Sequence, residues 1–231
     1  MKRLIKTRIK IEPYKVYQVE GGYIAELNDV EVFRTKHQHL CTSFCQIKLA
    51  EERNRRNEFI VEKILVHNRG GYCYEVNGLF SMVLQKLGIS YQFVAARPMF
   101  YPVRRPKTHM AIVAELFGEL WLCDLGFGSY GIREPIKLSQ LDTEIQQDHD
   151  AFMLSKINDR EYLLKAFVEG EWANQYSFDL APQEWIDFMP ANYLNSTHPD
   201  AVFVQKLLIV LHNEFGRSIL FGDLLKEVKQ G

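Results

Sequence analysis

Apolar positions change their period near Gly88, and the change divides the chain. Before it the spacing is helical. Phe59, Ile60, Ile64 and Leu65 recur at helical steps and predict an amphipathic helix over 58–66, stopped by Asn68-Arg69-Gly70-Gly71. The two glycines let the backbone turn sharply or take positive φ. Leu79, Phe80, Val83, Leu84 and Leu87 form a stripe that predicts a second helix over 73–87, buried along that stripe and stopped by Gly88. Residues 29–40 also read as helical, 1–24 hold β-leaning stretches broken by Pro13 and Gly21-Gly22, and 51–57 read as a solvated, charge-rich connection. After Gly88 the runs are β-branched or aromatic. They predict strands at 91–96, 110–116, 120–125, 151–154, 161–168 and 171–178, with a turn on Phe117-Gly118-Glu119. The tail is mixed, with a turn at 213–216 and a short terminal helix over 223–228. Helices, then strands, then a mixed tail predict an α+β fold around an antiparallel sheet or small barrel.

Composition narrows the class. The chain has 231 residues, 47% apolar and 25% charged, enough for one large domain or two to three subdomains sharing a core, and too apolar for a mostly disordered chain. A net charge of -1 argues against a dedicated nucleic-acid surface. The longest apolar runs, such as 207–211, are too short to span a bilayer, and no apolar segment follows the basic start, so neither membrane nor secretory signal is expected. The cysteines are Cys41, Cys45, Cys73 and Cys123. A chain this long builds a core without staples, so free thiols and the cytoplasm are expected. His37 and His39 lie close to Cys41 and Cys45, but no second cluster at ligand spacing follows, and no metal is expected.

The candidate chemistry starts at Cys73. It follows a glycine pair at the start of a predicted helix, where unpaired N–H groups and the helix dipole favour a thiolate. The same N–H groups suit an oxyanion. His109 begins a predicted strand and Asp124 ends the next. A tight turn on Phe117-Gly118 sets residue 126 opposite His109, which leaves Asp124 two positions along on the same face. An aspartate flanked by Leu122, Cys123 and Leu125 is costly to bury unless it serves a partner. The three fit a triad in which Asp124 orients His109, His109 takes the proton of Cys73, and the thiolate attacks.

Arg69-Gly70-Gly71-Tyr72-Cys73-Tyr74-Glu75-Val76-Asn77 resembles the R-G-G-x-C-aromatic-E-x-N signature of the arylamine N-acetyltransferases. Thr108-His109-Met110 and Asp124-Leu125-Gly126-Phe127-Gly128 resemble that family's histidine and aspartate motifs, and the likeness extends over about 37–221. The resemblance implies a ping-pong enzyme. Acetyl-CoA is the acyl donor, Cys73 carries a thioester, and an arylamine, arylhydrazine or arylhydroxylamine collects the acetyl group, as in xenobiotic metabolism. It also implies a helical bundle over 1–88 bearing the cysteine, an antiparallel β-barrel over 89–182 bearing the histidine and aspartate, and a shortened α/β lid over 183–231. The triad then lies between the first two, in a cysteine-protease-like arrangement. By the same analogy Phe127 lines the acceptor pocket, Gly126 and Gly128 leave room for pantetheine or acceptor, and Thr108 belongs to the CoA site.

The chain departs from the family at Ser43-Phe44-Cys45-Gln46, where proline-phenylalanine-glutamate-asparagine is usual, so the acid that would hold Arg69 is missing there, which leaves Glu75 or another acid to substitute, or a looser helix–loop junction. Residues 1–30 do not resemble the family's opening helix. Three other readings use the same residues: a cysteine hydrolase or transglutaminase-like enzyme, an amide synthase, and a degenerate, binding-only homologue.

Overall fold

The computed structural model describes residues 2–8, 15–19, 22–26, 60–67, 69–128, 130–213 and 216–230. In chain order the strands are β1 (Lys2–Arg8), β2 (Lys15–Val19) and β3 (Gly22–Glu26), followed by a π-helical turn at Glu62–Val66 and helix α1 (Cys73–Lys86). Strands β4 (Tyr91–Pro98), β5 (His109–Leu116), β6 (Glu119–Cys123), β7 (Ile136–Lys137), β8 (Ile145–Gln147), β9 (Asp150–Lys156), β10 (Glu161–Val168) and β11 (Glu171–Asp179) come next. The chain closes with a 3-10 turn at Trp185–Phe188, helices α2 (Met189–Thr197) and α3 (Val202–Gln205), and strands β12 (Leu208–Asn213), β13 (Gly216–Phe221) and β14 (Leu224–Gln230). The expected helix over 29–40 and the motif residues His37, His39, Cys41 and Cys45 lie outside the described residues.

The chain divides into two compact units, Met1–Gly71 with Tyr193–Gly231, and Tyr72–Asn192. The first contains the antiparallel sheet β1-β14-β13-β12 and the β2-β3 hairpin. Its C-terminal strand corrects the helix expected over 223–228. Gly222 takes φ +59 and, with Asp223, closes a two-residue turn that sets Phe221 opposite Leu224. Two ladders, to β13 and to β1, then satisfy the backbone of β14. A lone six-residue helix has no such support.

The second unit is α1 on an eight-stranded antiparallel sheet, ordered β7-β6-β5-β4-β11-β10-β9-β8. The sheet curls into a half-barrel. Inner-face residues from both of its wings, among them Val94, Val113, Leu122, Phe152, Leu164 and Phe178, join one buried cluster. The edge strands β7 and β8 span only two and three residues, too few for a ladder that would close the barrel, and no pairing joins them among the described residues. Instead Ile132, Ile136 and Leu138, from the segment after β6, fold into the same cluster. Each fully buried Leu, Ile or Phe there contributes about 1.5–3 kcal/mol.

Helix α1 begins where the Tyr72 N–H donates to the Glu75 carboxylate at 3.2 Å. It ends in a Schellman turn on Gly88 at φ +71, with Gly88 N–H on the Gln85 carbonyl and Ile89 N–H on that of Leu84. Its extent agrees with the pattern, but its buried face does not. Val83 and Leu87 are exposed, while Cys73, Tyr74, Asn77, Gly78, Ser81 and Leu84 are buried. The reason is close packing. A Cβ on Gly78 would lie 2.2 Å from Trp185 Cζ2, so the helix turns its small and polar residues inward. Apolar content alone could not reveal that choice.

The β5-β6 hairpin follows the expected register. Phe117 (φ +55) and Gly118 (φ +74) both take positive φ, as a two-residue type I′ turn requires. The ladder runs from Leu116↔Glu119 to Ile112↔Cys123 and stops there. Alternation then puts His109 on the inner face with Ala111 and Val113, and Asp124 on the same face with Leu122.

Candidate active site

Every side chain of the candidate site lies in the second unit. Cys73 is the first residue of α1 and is buried. Its approach to the sheet is set at Gly126. A Cβ at that position would lie 2.4 Å from Cys73 Cα and 2.9 Å from Val76 Cγ2. Only a glycine lets the 124–126 turn lie against the helix start. Of the two expectations for the glycine pair before Cys73, positive φ is not met at either Gly70 or Gly71.

His109 Nε2 meets Asp124 Oδ2 at 2.7 Å, and both residues are buried. The Cys73 side chain acts on the same imidazole and raises its pKa. Because Nε2 faces the carboxylate, Nδ1 is the ring nitrogen left for sulfur. Asp124 Oδ1 accepts from Asn77 Nδ2 at 2.9 Å and from the Gly126 N–H at 2.9 Å. Both carboxylate oxygens are therefore engaged, as a buried charge demands.

The electrostatics follow from these contacts. Burial favours the neutral imidazole, but the Asp124 carboxylate, and then Cys73, outweigh it and raise the pKa of His109 to about 10. Burial likewise opposes the charge on Asp124. The His109 cation beside it, with hydrogen bonds from His109, Asn77 and Gly126, holds its carboxyl below the usual value. The site thus favours a cationic imidazole beside an anionic carboxylate.

Around this chain lies an aromatic wall. Phe127 packs edge-on against His109 with centroids 5.0 Å apart and against Tyr176 at 4.8 Å. Phe100, more than half exposed, meets Phe127 at 5.9 Å. Thr108 is held through its carbonyl, which accepts from the Tyr74 hydroxyl at 2.8 Å. Gly128 takes φ +84, and its carbonyl accepts the Gly131 N–H at 2.7 Å.

Three residues of this site were not singled out from the sequence. Asn77 stands within the cysteine motif, and its spacing of four from Cys73 on a helix was a signal that both share one face. Tyr74 is the aromatic of that motif, yet which carbonyl it reaches is a tertiary fact. Tyr176 comes from β11, far along the chain. Its ring packs on His109 at 5.1 Å, and its buried hydroxyl lies near Asp124 without a well-formed hydrogen bond. Burial, and then the charge of Asp124, hold that phenol well above its usual pKa.

The chain is similar to known proteins in sequence and in fold. A sequence profile of the N-acetyltransferase family matches residues 29–231. The chain belongs to the arylamine N-acetyltransferase family. It is 30% identical to the arylamine N-acetyltransferase of Escherichia coli, over 82% of this chain and 72% of that protein. The solved arylamine N-acetyltransferase of M. tuberculosis superposes with a TM-score of 0.67 at 29% identity, over 72% of this chain and 63% of that one. The Mycobacterium marinum arylamine N-acetyltransferase, solved in complex with CoA, gives a TM-score of 0.67 at 27% identity, over 75% of this chain and 69% of that one. The chain thus spans about two thirds of the length of these relatives. Among the described residues, no helix is long and apolar enough to cross a membrane. No group of three or more His, Cys, Asp or Glu is placed among them to hold a metal ion.

Proposed function

We propose that this member of the family moves an acetyl group from acetyl-CoA to the nitrogen of an arylamine, arylhydrazine or arylhydroxylamine through a thioester on Cys73. The observation that carries the reading is the buried His109–Asp124 pair, bonded at 2.7 Å, with the buried Cys73 at a helix N-terminus acting on the same imidazole. In the first half-reaction the Cys73 thiolate attacks the acetyl carbonyl of acetyl-CoA. The tetrahedral intermediate collapses, the C–S bond to CoA breaks, and the CoA sulfur leaves with the proton of the His109 imidazolium. In the second, the amine nitrogen attacks the Cys73 thioester. His109 takes the proton that the nitrogen sheds, and the Cys73 thiolate departs, which restores the ion pair. Asp124 keeps the imidazole in place and balances its charge throughout.

The wall of Phe127, Phe100 and Tyr176 supports an aromatic acceptor, with Phe127 its nearest face to His109. Gly128 is proposed to leave room for the pantetheine arm or acceptor; the space at Gly126, expected to do the same, is taken by Cys73 and Val76. Thr108 is proposed to contact CoA. Two described cysteines, Cys73 and Cys123, are free thiols, in keeping with a cytoplasmic enzyme. Acetyl-CoA and an aromatic amine, followed by chromatography of the products, test the reading. The N-acetylated amine is expected. Free acetate as the sole product would make the protein a hydrolase instead.

A further inference from the structure

We infer that Asn77 is a positioning residue, which fixes the Asp124 carboxylate so that one oxygen alone is presented to His109. The inference rests on the proposed use of Cys73, His109 and Asp124, and adds the group that holds them in register. Strand pairing explains why such a group is needed. The β5-β6 ladder ends at Ile112↔Cys123, so β5 from Met110 back to His109, and Asp124 itself, lie beyond it. No backbone bond of that ladder fixes their spacing.

Asn77 spans the gap from α1. Its side chain is wholly buried. Nδ2 donates both to the Met110 carbonyl at 2.7 Å and to Asp124 Oδ1 at 2.9 Å. Its own Oδ1 accepts the Leu125 N–H at 2.9 Å. One amide thus touches the residue after His109, the carboxylate itself and the residue after Asp124, from a position one helical turn beyond Cys73. With the Gly126 N–H also on Oδ1, that oxygen is saturated and Oδ2 is left to the imidazole. The Tyr74 hydroxyl on the Thr108 carbonyl grips the other neighbour of His109. The amide also helps to keep Asp124 ionised. The other titratable groups near Asp124 are His109 from β5, Cys123 from β6 and Tyr176 from β11. Cys73 acts on the same imidazole from α1.

A purely structural amide would change stability and leave the sulfur's reactivity alone. A positioning amide changes both. The test is the rate of Cys73 alkylation by iodoacetamide, read by peptide mass mapping at about pH 6 and about pH 9, with a thermal melt beside it. Asn77→Ala is expected to lower the ratio of the acid-side rate to the alkaline rate about tenfold, the scale of one charge-assisted hydrogen bond. Asn77→Ser, which cannot reach both partners, is expected to do the same and serves where the alanine variant does not fold. A ratio within about twofold of wild type in a folded variant, whatever the melt, would overturn the inference. Alkylation involves no acetyl-CoA. A wild type that forms no acetyl-enzyme would therefore defeat the transferase reading while leaving this ratio readable.

Discussion

The β5-β6 hairpin meets its geometric problem differently at its two ends. At the tip, Phe117 and Gly118 close the turn by local conformation, and Phe117 bears positive φ while 92% exposed. At the open end, beyond Ile112↔Cys123, the ladder has run out and side chains from α1 do the holding. The tip is specified by two residues and tolerates a strained one. The open end is specified by contacts between residues as far apart as Asn77 and Asp124, and each is buried. Substitutions should therefore cost far more at the open end.

Asp124→Asn is expected to have the largest effect. The imidazolium loses its counter-charge, so kcat/KM should fall on the order of 10²- to 10⁴-fold. Stability should fall by about 3–5 kcal/mol, which thermal or urea unfolding would read. A variant with full activity would mean that Asp124 only fills space. Next comes Gly126→Ala. The new methyl would press on Cys73 Cα, and overpacking of this kind costs about 1–3 kcal/mol. Acetylation by acetyl-CoA should slow as well, in a stopped assay at saturating donor.

The ion pair gives a pH signature of intermediate size. His109 titrates near 6.5 when unfolded and at about 10 when folded, so the folded chain holds the extra proton between those values. Its contribution is complete below about pH 6.5 and is lost as the pH rises toward about 10. Asp124, held low, contributes above its unfolded value of 3.8 and loses that contribution as the pH falls through its folded value. Urea unfolding of wild type and His109→Gln across the alkaline range should show a steeper decline in wild type. Equal slopes would remove the cation from the account. At the tip, Phe117→Asn should relieve strain and raise stability by only about 0.5–1 kcal/mol, with activity retained.

The same contrast explains what could be read from the chain. The six longer strands of the half-barrel and the register of the hairpin were legible because a two-residue turn and period-two alternation fix them locally, while the two- and three-residue edge strands β7 and β8 are too short to leave a pattern. His109 and Asp124 could be placed near one another by that arithmetic, whereas Cys73 joined them only as a candidate nucleophile of the right chemistry. What escaped depends on distant partners. The face that α1 buries is chosen by Trp185 and by the sheet, so of the expected stripe Leu84 is buried while Val83 and Leu87 are exposed. The strand 224–230 looked helical because β1, more than 200 residues away, supplies one of its ladders. Asn77 carried a motif position without a visible task, and Tyr176 joins the site only through the curl of the sheet.

Between donor and acceptor, the proposed resting place of the acetyl group is the Cys73 sulfur. Intact-mass measurement after brief incubation with acetyl-CoA, without amine, tests it most directly. Wild type should gain a single acetyl group, mapped to Cys73, and the gain should vanish in Cys73→Ala and reverse on addition of an aromatic amine. An unchanged wild-type mass, or an acetyl group that persists in Cys73→Ala, would contradict the account.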